Sequence, residues 1–411
     1  NCVIEVAQSA GTGKYDQIVK IIEESEKLKS ETEERAFHLA DRLVPYSLAG
    51  TVITYLLTGN ATRALSFLMV DFSCALNLSM PLSMLSAIKE SSKYDIAVKG
   101  GKFLEAAAIA DTIIFDKTGT LTHATPSVVD IVTFGDADQT ESLRIAACLE
   151  EHYPHSVANA VVAEARNRNI SHEEMHSKVE YVVAHGIAST INGSNAIIGS
   201  YHFVFEDMKC TVPEGEENKL DSLPTAYSHL YMAIDGVLQA VICIFDPLRD
   251  EAADVIKELY DLGVSKVCML TGDNERTAAA VAEELDLTEY RSGVLPEDKL
   301  AFIKAEHTAG RKVMMIGDGV NDAPALAEAD VGIAVNEGAA IAREICDITI
   351  SSDDLHRIVL LRKLSMQLMN RIDNNYRFIV AFNAALIGLG VSGILTPASS
   401  ALFHNGSTIL S

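Results

Sequence analysis

The sequence predicts a doubly wound α/β domain, interrupted by an inserted α+β domain and accompanied by transmembrane α-helices. Three observations carry that expectation. First, apolar runs end at polar residues beside glycine: Thr112 to Phe115 before Asp116, Lys266 to Leu270 before Thr271-Gly272-Asp273, and Lys312 to Ile316 before Gly317-Asp318-Gly319. Such runs read as strands buried on both faces of a parallel sheet, with the helical patterns after them as crossovers. Second, between Pro126 and Gly236 helix-like stretches such as Thr140 to Glu151 alternate with strand-like pieces such as Tyr181 to Val183 and Ala196 to Ile198. Third, long apolar stretches lie outside this middle region.

Taken in order, residues 1–34 read as a strand and a charged helix, the tail of a domain and its linker. Residues 35–95 hold the apolar runs Leu43 to Leu57 and Ala64 to Ile88, separated by a Thr58-Gly59-Asn60 turn. The second run carries one charge, Asp71, and is long enough to cross a bilayer with some tilt. Buried helices of a globular core would keep a polar face, which this run lacks. The core domain is expected over 96–123 and 237–355, with the insertion at 124–236. Residues 356–411 close the chain with a linker and two apolar segments, Phe378 to Leu395 and Pro397 to Leu410, so the membrane part reads as two helical hairpins. The chain begins at Asn1 and stops at Ser411 within an apolar stretch, so both ends read as cuts through a longer protein.

The net charge is −24, which argues against a nucleic-acid partner, since that would require a basic stripe. The seven cysteines form no CxxC pair, so no zinc ribbon or dithiol motif is present. Most read as small buried hydrophobes; Cys74, inside an apolar run, is set apart by its place.

The chemistry concentrates at the strand ends. A carboxylate at the end of a buried strand is held still and can attack a phosphoryl group to form an aspartyl phosphate, the role expected of Asp116. The Lys117-Thr118-Gly119-Thr120 segment lets backbone N–H groups approach phosphate oxygens. Thr271, with Gly272 and Asp273, follows the second strand, and its hydroxyl can bind a phosphate oxygen. Lys299 offers a point charge to the developing negative charge. Asp318 and Asp322 suit Mg²⁺, a hard cation that takes carboxylates plus phosphate oxygens.

Asp116-Lys117-Thr118-Gly119-Thr120-Leu121-Thr122 resembles the phosphorylation motif of P-type ATPases, and the whole set resembles their haloacid-dehalogenase-like phosphorylation domain. The resemblance adds Asn321 to the phosphate contacts and Thr118 to the Mg²⁺ site beside Asp116. Phosphatases of this fold carry an acid two residues after the nucleophile; here Thr118 stands there, so a slowly hydrolysed phosphoenzyme is expected instead of a soluble phosphatase. An intact Asp116, Lys299 and Asp318 set also argues against a subunit that merely binds nucleotide.

Within that family the heavy-metal-transporting branch is the nearest resemblance. It makes the insertion a nucleotide-binding domain for ATP. His155, in Glu151-His152-Tyr153-Pro154-His155-Ser156, stands where a His-Pro motif contacts adenine, although Ser156 replaces the proline. Glu151 matches the pocket's acidic residue. Gly186 and Gly199 match its glycines, which would let backbone approach ATP. Asp246-Pro247-Leu248-Arg249 resembles the hinge back to the phosphorylation domain. In the membrane, Phe72-Ser73-Cys74 stands at the Cys-Pro-Cys-type triplet, and His404-Asn405-Gly406-Ser407-Thr408 resembles the His-containing last helix of divalent-metal pumps.

Ser73, Cys74, Asn383 and His404 are therefore the candidate ligands of the transported ion. Polar groups inside a membrane bundle mark function by default. One thiol, one imidazole and oxygens suit Zn²⁺, Mn²⁺, Co²⁺ or Cd²⁺ better than Cu(I), the alternative cargo. The resemblance implies a multi-pass membrane protein (in the plasma membrane if bacterial) with cytoplasmic soluble domains, and a metallochaperone as a candidate partner. The family's Thr-Gly-Glu actuator loop and its first membrane helices do not occur in the sequence. The expectation is a chain that binds and transfers phosphate from ATP but does not by itself complete transport.

Overall fold

The computed structural model describes residues 31–70, 72–123, 125–151, 156–170, 176–182, 186–191, 193–224, 227–318, 322–335 and 345–410. Two compact units separate: Ala110–His356, and the residues on either side of it. The proposed domain tail at 1–30 lies outside the described residues.

The flanking unit is helical. Its first helix, Glu31–Thr58, ends at the predicted Gly59 turn. Asn60 then caps the helix Ala61–Leu68, its Oδ1 accepting from Thr62 N at 2.9 Å and Arg63 N at 3.3 Å. Helix Phe72–Ser92, the short strand β1 (Ile96–Val98) and helix Gly101–Ile109 follow. After the other unit come His356–Ser392 and Pro397–Leu410.

Two sequence expectations need correction here. The Ala64 to Ile88 run is not one helix: it breaks after Leu68, where Met69 caps the short helix, and resumes at Phe72. The break falls beside Asp71, the run's one charge, a place where continuing an apolar helix is least favoured. Among the described residues a single helix, His356–Ser392, is long and apolar enough to cross a membrane. The segment 101–109, expected in the core domain, belongs to the helical unit, where Arg362 Nη1 donates to Ala107 O at 2.9 Å.

The other unit contains two sheets. β2 (Thr112–Asp116) opens the first. The chain then enters the insertion through β3 (Ser127–Thr133), β4 (His176–Val182), β5 (Gly186–Ile191), β6 (Ser194–Gly199), β7 (Ser228–Ile234) and β8 (Val237–Phe245). These pair antiparallel in the order β3-β8-β7-β6-β5-β4. Helices Gln139–Glu150 and Ser156–Asn167 supply Leu143, Leu149 and Val161 to a core with Ile187, Ile198 and Ile242. A second cluster holds Phe134, Phe203 and Tyr231. Because β8 pairs with β3 and β7, the insertion's sheet extends to Phe245, beyond the Gly236 limit read from composition.

The chain returns to the first sheet with β9 (Lys266–Leu270), β10 (Glu289–Arg291), β11 (Val313–Gly317), β12 (Val331–Val335) and β13 (Ile348–Ile350). Within this unit they lie in the order β13-β12-β11-β2-β9-β10, and the described pairs are all parallel. β2, β9 and β11 are buried along their whole length, as their unbroken apolar runs predict. Registers Asp116↔Leu270 and Phe115↔Ile316 bring the polar ends of the three strands to one edge. Cys148, Cys210, Cys243, Cys268 and Cys346 lie outside any disulfide and are buried, small core residues as expected.

Candidate functional site

Asp116 ends β2 and is 8% exposed. Lys299 reaches it from the first turn of helix Pro296–Thr308, where Pro296 opens the helix and Asp298 accepts from Leu295 N at 3.0 Å. The Lys299 ammonium donates to Asp116 Oδ1 at 2.7 Å and to Asp322 Oδ1 at 2.6 Å. Burial alone would lower the Lys299 pKa, but the Asp116 and Asp322 carboxylates override it and hold it above the usual lysine value. Burial, and then the Asp322 carboxylate, push Asp116 up to about 7 against the pull of Lys299, with Asp318 adding to the rise.

Two carboxylates therefore share one ammonium, with Asp318 close enough to act on Asp116. Asp322 Oδ2 is buried without a hydrogen-bond partner among the described residues. Crowded hard oxygens with an unsatisfied lone pair fit a divalent cation of the Mg²⁺ kind, which would stabilise the ionised Asp116. Asn321 lies outside the described residues.

The loop after Asp116 is held from several sides. Gly119 has φ +74°, a left-handed conformation that a side chain disfavours, and its N–H donates to Thr122 Oγ1 at 3.0 Å. Thr122 Oγ1 in turn donates to Asp246 Oδ2 at 2.6 Å. Arg249, almost fully buried, donates through Nε to Thr120 O at 2.9 Å and Thr122 O at 3.2 Å. The Asp246 to Arg249 segment, singled out only as a hinge, thus also clamps the loop. Lys117 Nζ bonds Asp273 Oδ2 and donates to Ser228 Oγ at 3.0 Å. Thr271 is buried, and its hydroxyl accepts from Asp273 N at 3.1 Å. Thr118 sits half-buried in this loop with extended backbone angles, and Gly272 lines the cleft described next.

A cleft of about 490 Å³ opens where the insertion meets the core, lined by Tyr201, His229, Tyr231, Asp273, Asn274 and Arg276 among others. Of the predicted nucleotide residues, Gly186 and Gly199 stand directly opposite each other across β5 and β6. Gly199 immediately precedes Ser200 and Tyr201 of the cleft wall. The need for glycine at 186 has a different cause from the one expected. A Cβ there would lie 2.4 Å from Ile198 O and 2.4 Å from the Phe203 ring, so its side is filled by protein and not open to a ligand. Glu151 does not line the cleft; it is exposed and lies 3.8 Å from Arg166. His155 lies outside the described residues.

Sequence reasoning missed His229, Tyr201, Tyr231 and Asn274. Tyr201, Tyr231 and Phe205 form an aromatic group, with edge-on centroid distances of 5.6 Å from Tyr231 to each of the others. Tyr201 was findable as a neighbour of Gly199, and Asn274 as a neighbour of Asp273. His229 carries no local signal, because only the fold brings β7 to the core.

In the helical unit, Asn383 and His404 meet. Both are buried, with Asn383 Oδ1 3.1 Å from His404 Nδ1. They come from different helices, separated by 21 positions. Ser73 and Cys74 fall in the first turn of helix Phe72–Ser92, but their side chains lie outside the described residues.

Residues 110–330 match the haloacid dehalogenase-like hydrolase family. A zinc-exporting P-type ATPase of Mycobacterium marinum is 36% identical over 96% of this chain and 54% of its own length. A manganese-exporting P-type ATPase of Mycobacterium bovis is 36% identical over 96% of this chain and 55% of its own. A copper-exporting P-type ATPase of Staphylococcus saprophyticus is 33% identical over 92% and 48% respectively. The chain spans about half the length of the curated relatives it matches. Among solved structures, a zinc-transporting PIB-type ATPase in the E2.Pi state superposes with a TM-score of 0.64 at 28% identity, over 99% of this chain and 67% of that one. The catalytic domain of the CPx-ATPase CopB-B, from work on its changes upon nucleotide binding, gives 0.55 at 29% identity, over 68% of this chain and 98% of that one.

Proposed function

This chain belongs to the haloacid dehalogenase-like hydrolases as a homologue of the heavy-metal P-type ATPases, and we propose that it forms the catalytic and ion-carrying part of an ATP-driven pump for a divalent metal ion. The observation that carries the reading is the Lys299 ammonium bridging Asp116 and Asp322 at the ends of parallel strands. The Asp116 carboxylate attacks the γ-phosphorus of ATP; the bond to the bridging oxygen breaks, ADP leaves, and an aspartyl phosphate remains. Lys299 holds Asp116 in place and balances charge on the transferred group. The Thr271 hydroxyl and Asn321 contact its oxygens, and Lys117, tied to Asp273, fixes the loop. Mg²⁺, held by Asp116, Asp318 and Thr118 with Asp322 behind them, would neutralise phosphate charge. The insertion presents ATP, with Gly199 beside the cleft wall and His155 as the candidate adenine contact.

Asn383 and His404, joined in the membrane part, are the proposed core of the transported-ion site, with Ser73 and Cys74. Their nitrogen and oxygen donors favour Zn²⁺, Mn²⁺, Co²⁺ or Cd²⁺ over Cu(I). The zinc- and manganese-exporting relatives agree with that preference, while the copper-exporting one keeps Cu(I) as the second reading. The protein is accordingly placed in a membrane, with its catalytic unit in the cytoplasm. Exposed Leu57, Ile394, Leu402 and Ile409 supply an apolar surface suited to lipid.

The test has two parts. Radiolabel from γ-phosphate-labelled ATP should enter the chain as a hydroxylamine-labile phosphoenzyme and vanish in Asp116→Asn. In the full-length pump, one divalent metal should stimulate ATP hydrolysis. Label that survives Asp116→Asn refutes the mechanism, and stimulation by Cu⁺ alone reassigns the cargo.

A further inference from the structure

The insertion touches the core away from its covalent crossings. Ser228 Oγ accepts from Lys117 Nζ at 3.0 Å, and His229 Nδ1 lies 2.8 Å from Asn274 Nδ2. Thr277 Oγ1 donates to Tyr227 O at 2.8 Å, and Arg276 Nη2 lies 3.5 Å from Asp221 Oδ1. Asp221, Tyr227, Ser228 and His229 of the insertion therefore meet Asn274, Arg276 and Thr277 of the core, together with the residue after Asp116. The donor sense at His229 follows from the helix cap. Asn274 Oδ1 is committed to Thr277 N at 3.0 Å, so the amide presents its NH₂ to the ring, and His229 Nδ1 must accept. Burial lowers the His229 pKa, with the nearby Asp273 carboxylate opposing and Arg276 assisting, and this keeps the ring neutral near pH 7.

The chain enters the insertion before β3 and leaves it after β8, and these two strands are neighbours. Two adjacent crossings leave rotation about one axis nearly free. β7 lies beside β8, with Ser228 opposite Ile244, so the β7 contacts form a third point next to that axis. We propose that Ser228 and His229, bonded to Lys117 and Asn274, form a strut that sets how the insertion closes on Asp116, with His229 as its positioning residue. The strut ends on Lys117, so the closure angle reaches the catalytic loop directly. His229 acts through Asn274 and not on the transferred phosphate.

The proposal rests on the phosphoenzyme reading above, and the test separates the two. His229→Leu removes the acceptor, whereas His229→Gln can still accept from Asn274. In the full chain, with melting temperature as a fold control, His229→Leu should slow phosphoenzyme formation about fivefold, the loss of one net hydrogen bond. Because His229 also lines the cleft, affinity for a non-hydrolysable ATP analogue should fall by less than the rate does, and His229→Gln should recover the rate. Hydrogen exchange should quicken at Lys117 to Thr122 in His229→Leu and return to normal in His229→Gln. An unchanged rate, equal losses in rate and affinity, or no recovery in His229→Gln would overturn the strut. If the native chain forms no phosphoenzyme, the functional reading falls, and exchange at Lys117 to Thr122 alone decides for or against the strut.

Discussion

The parallel sheet that carries Asp116 and the antiparallel sheet inserted after it expose their strands differently. β2, β9 and β11 are buried at every position, whereas β5 alternates buried with half-exposed or exposed residues and β7 begins with three half-buried ones. In the core, candidate reactive groups stand at strand ends or, like Lys299, at the start of a helix, on backbone that packing holds in place. In the insertion, contact groups such as His229 and Tyr231 project from along a strand. A nucleophile that must meet phosphorus in line needs the first arrangement, because small displacements cost rate steeply. A surface that must bind, turn and release is served by the second.

If that contrast is right, damage in the core should stop chemistry, and damage in the insertion should weaken nucleotide handling. The largest effect is expected for Lys299→Met. It leaves Asp116 and Asp322 facing each other without their ammonium, so unfolding by denaturant should show a loss of roughly 3 kcal/mol, with no phosphoenzyme formed. Adding Asp322→Asn should return part of the stability and none of the chemistry. Gly186→Ala should come next, at about 2 kcal/mol, because its methyl group meets Ile198 O and the Phe203 ring. Here the loss should appear as weakened ATP-analogue binding and earlier melting of the insertion, with hydrogen exchange in β2 and β11 unaltered. Tyr201→Ala should be mildest. Removing its ring from the group with Phe205 and Tyr231 should lower nucleotide affinity by about fivefold, on the scale of an aromatic pair. Phosphoenzyme at saturating ATP should stay at the native level. A Tyr201→Ala chain that binds ATP normally but fails to phosphorylate would break the comparison.

Legibility in the sequence followed the same divide. Asp116, Thr271, Lys299, Asp318 and Asp322 could be read because each stands just after a buried strand or at the start of a helix, where local pattern fixes position. In the insertion, Gly186 and Gly199 were legible, but the reason for Gly186 was not. It lies in Phe203, a residue 17 positions away that the fold turns back onto β5. The long apolar runs misled in a different way. Hydropathy sums over a run and cannot register the break between Leu68 and Phe72.

By itself, then, the sequence determined the candidate nucleophile, the order of the parallel-sheet motifs and the presence of an insertion, because each depends on neighbours along the chain. Only the tertiary structure decided that Lys299 bridges two carboxylates, that Arg249 clamps the loop after Asp116, that Asn383 meets His404, and that His229 reaches Asn274. Those are contacts between residues far apart in sequence. Their distances are set by how sheets and helices pack, and no local pattern of residue types encodes them.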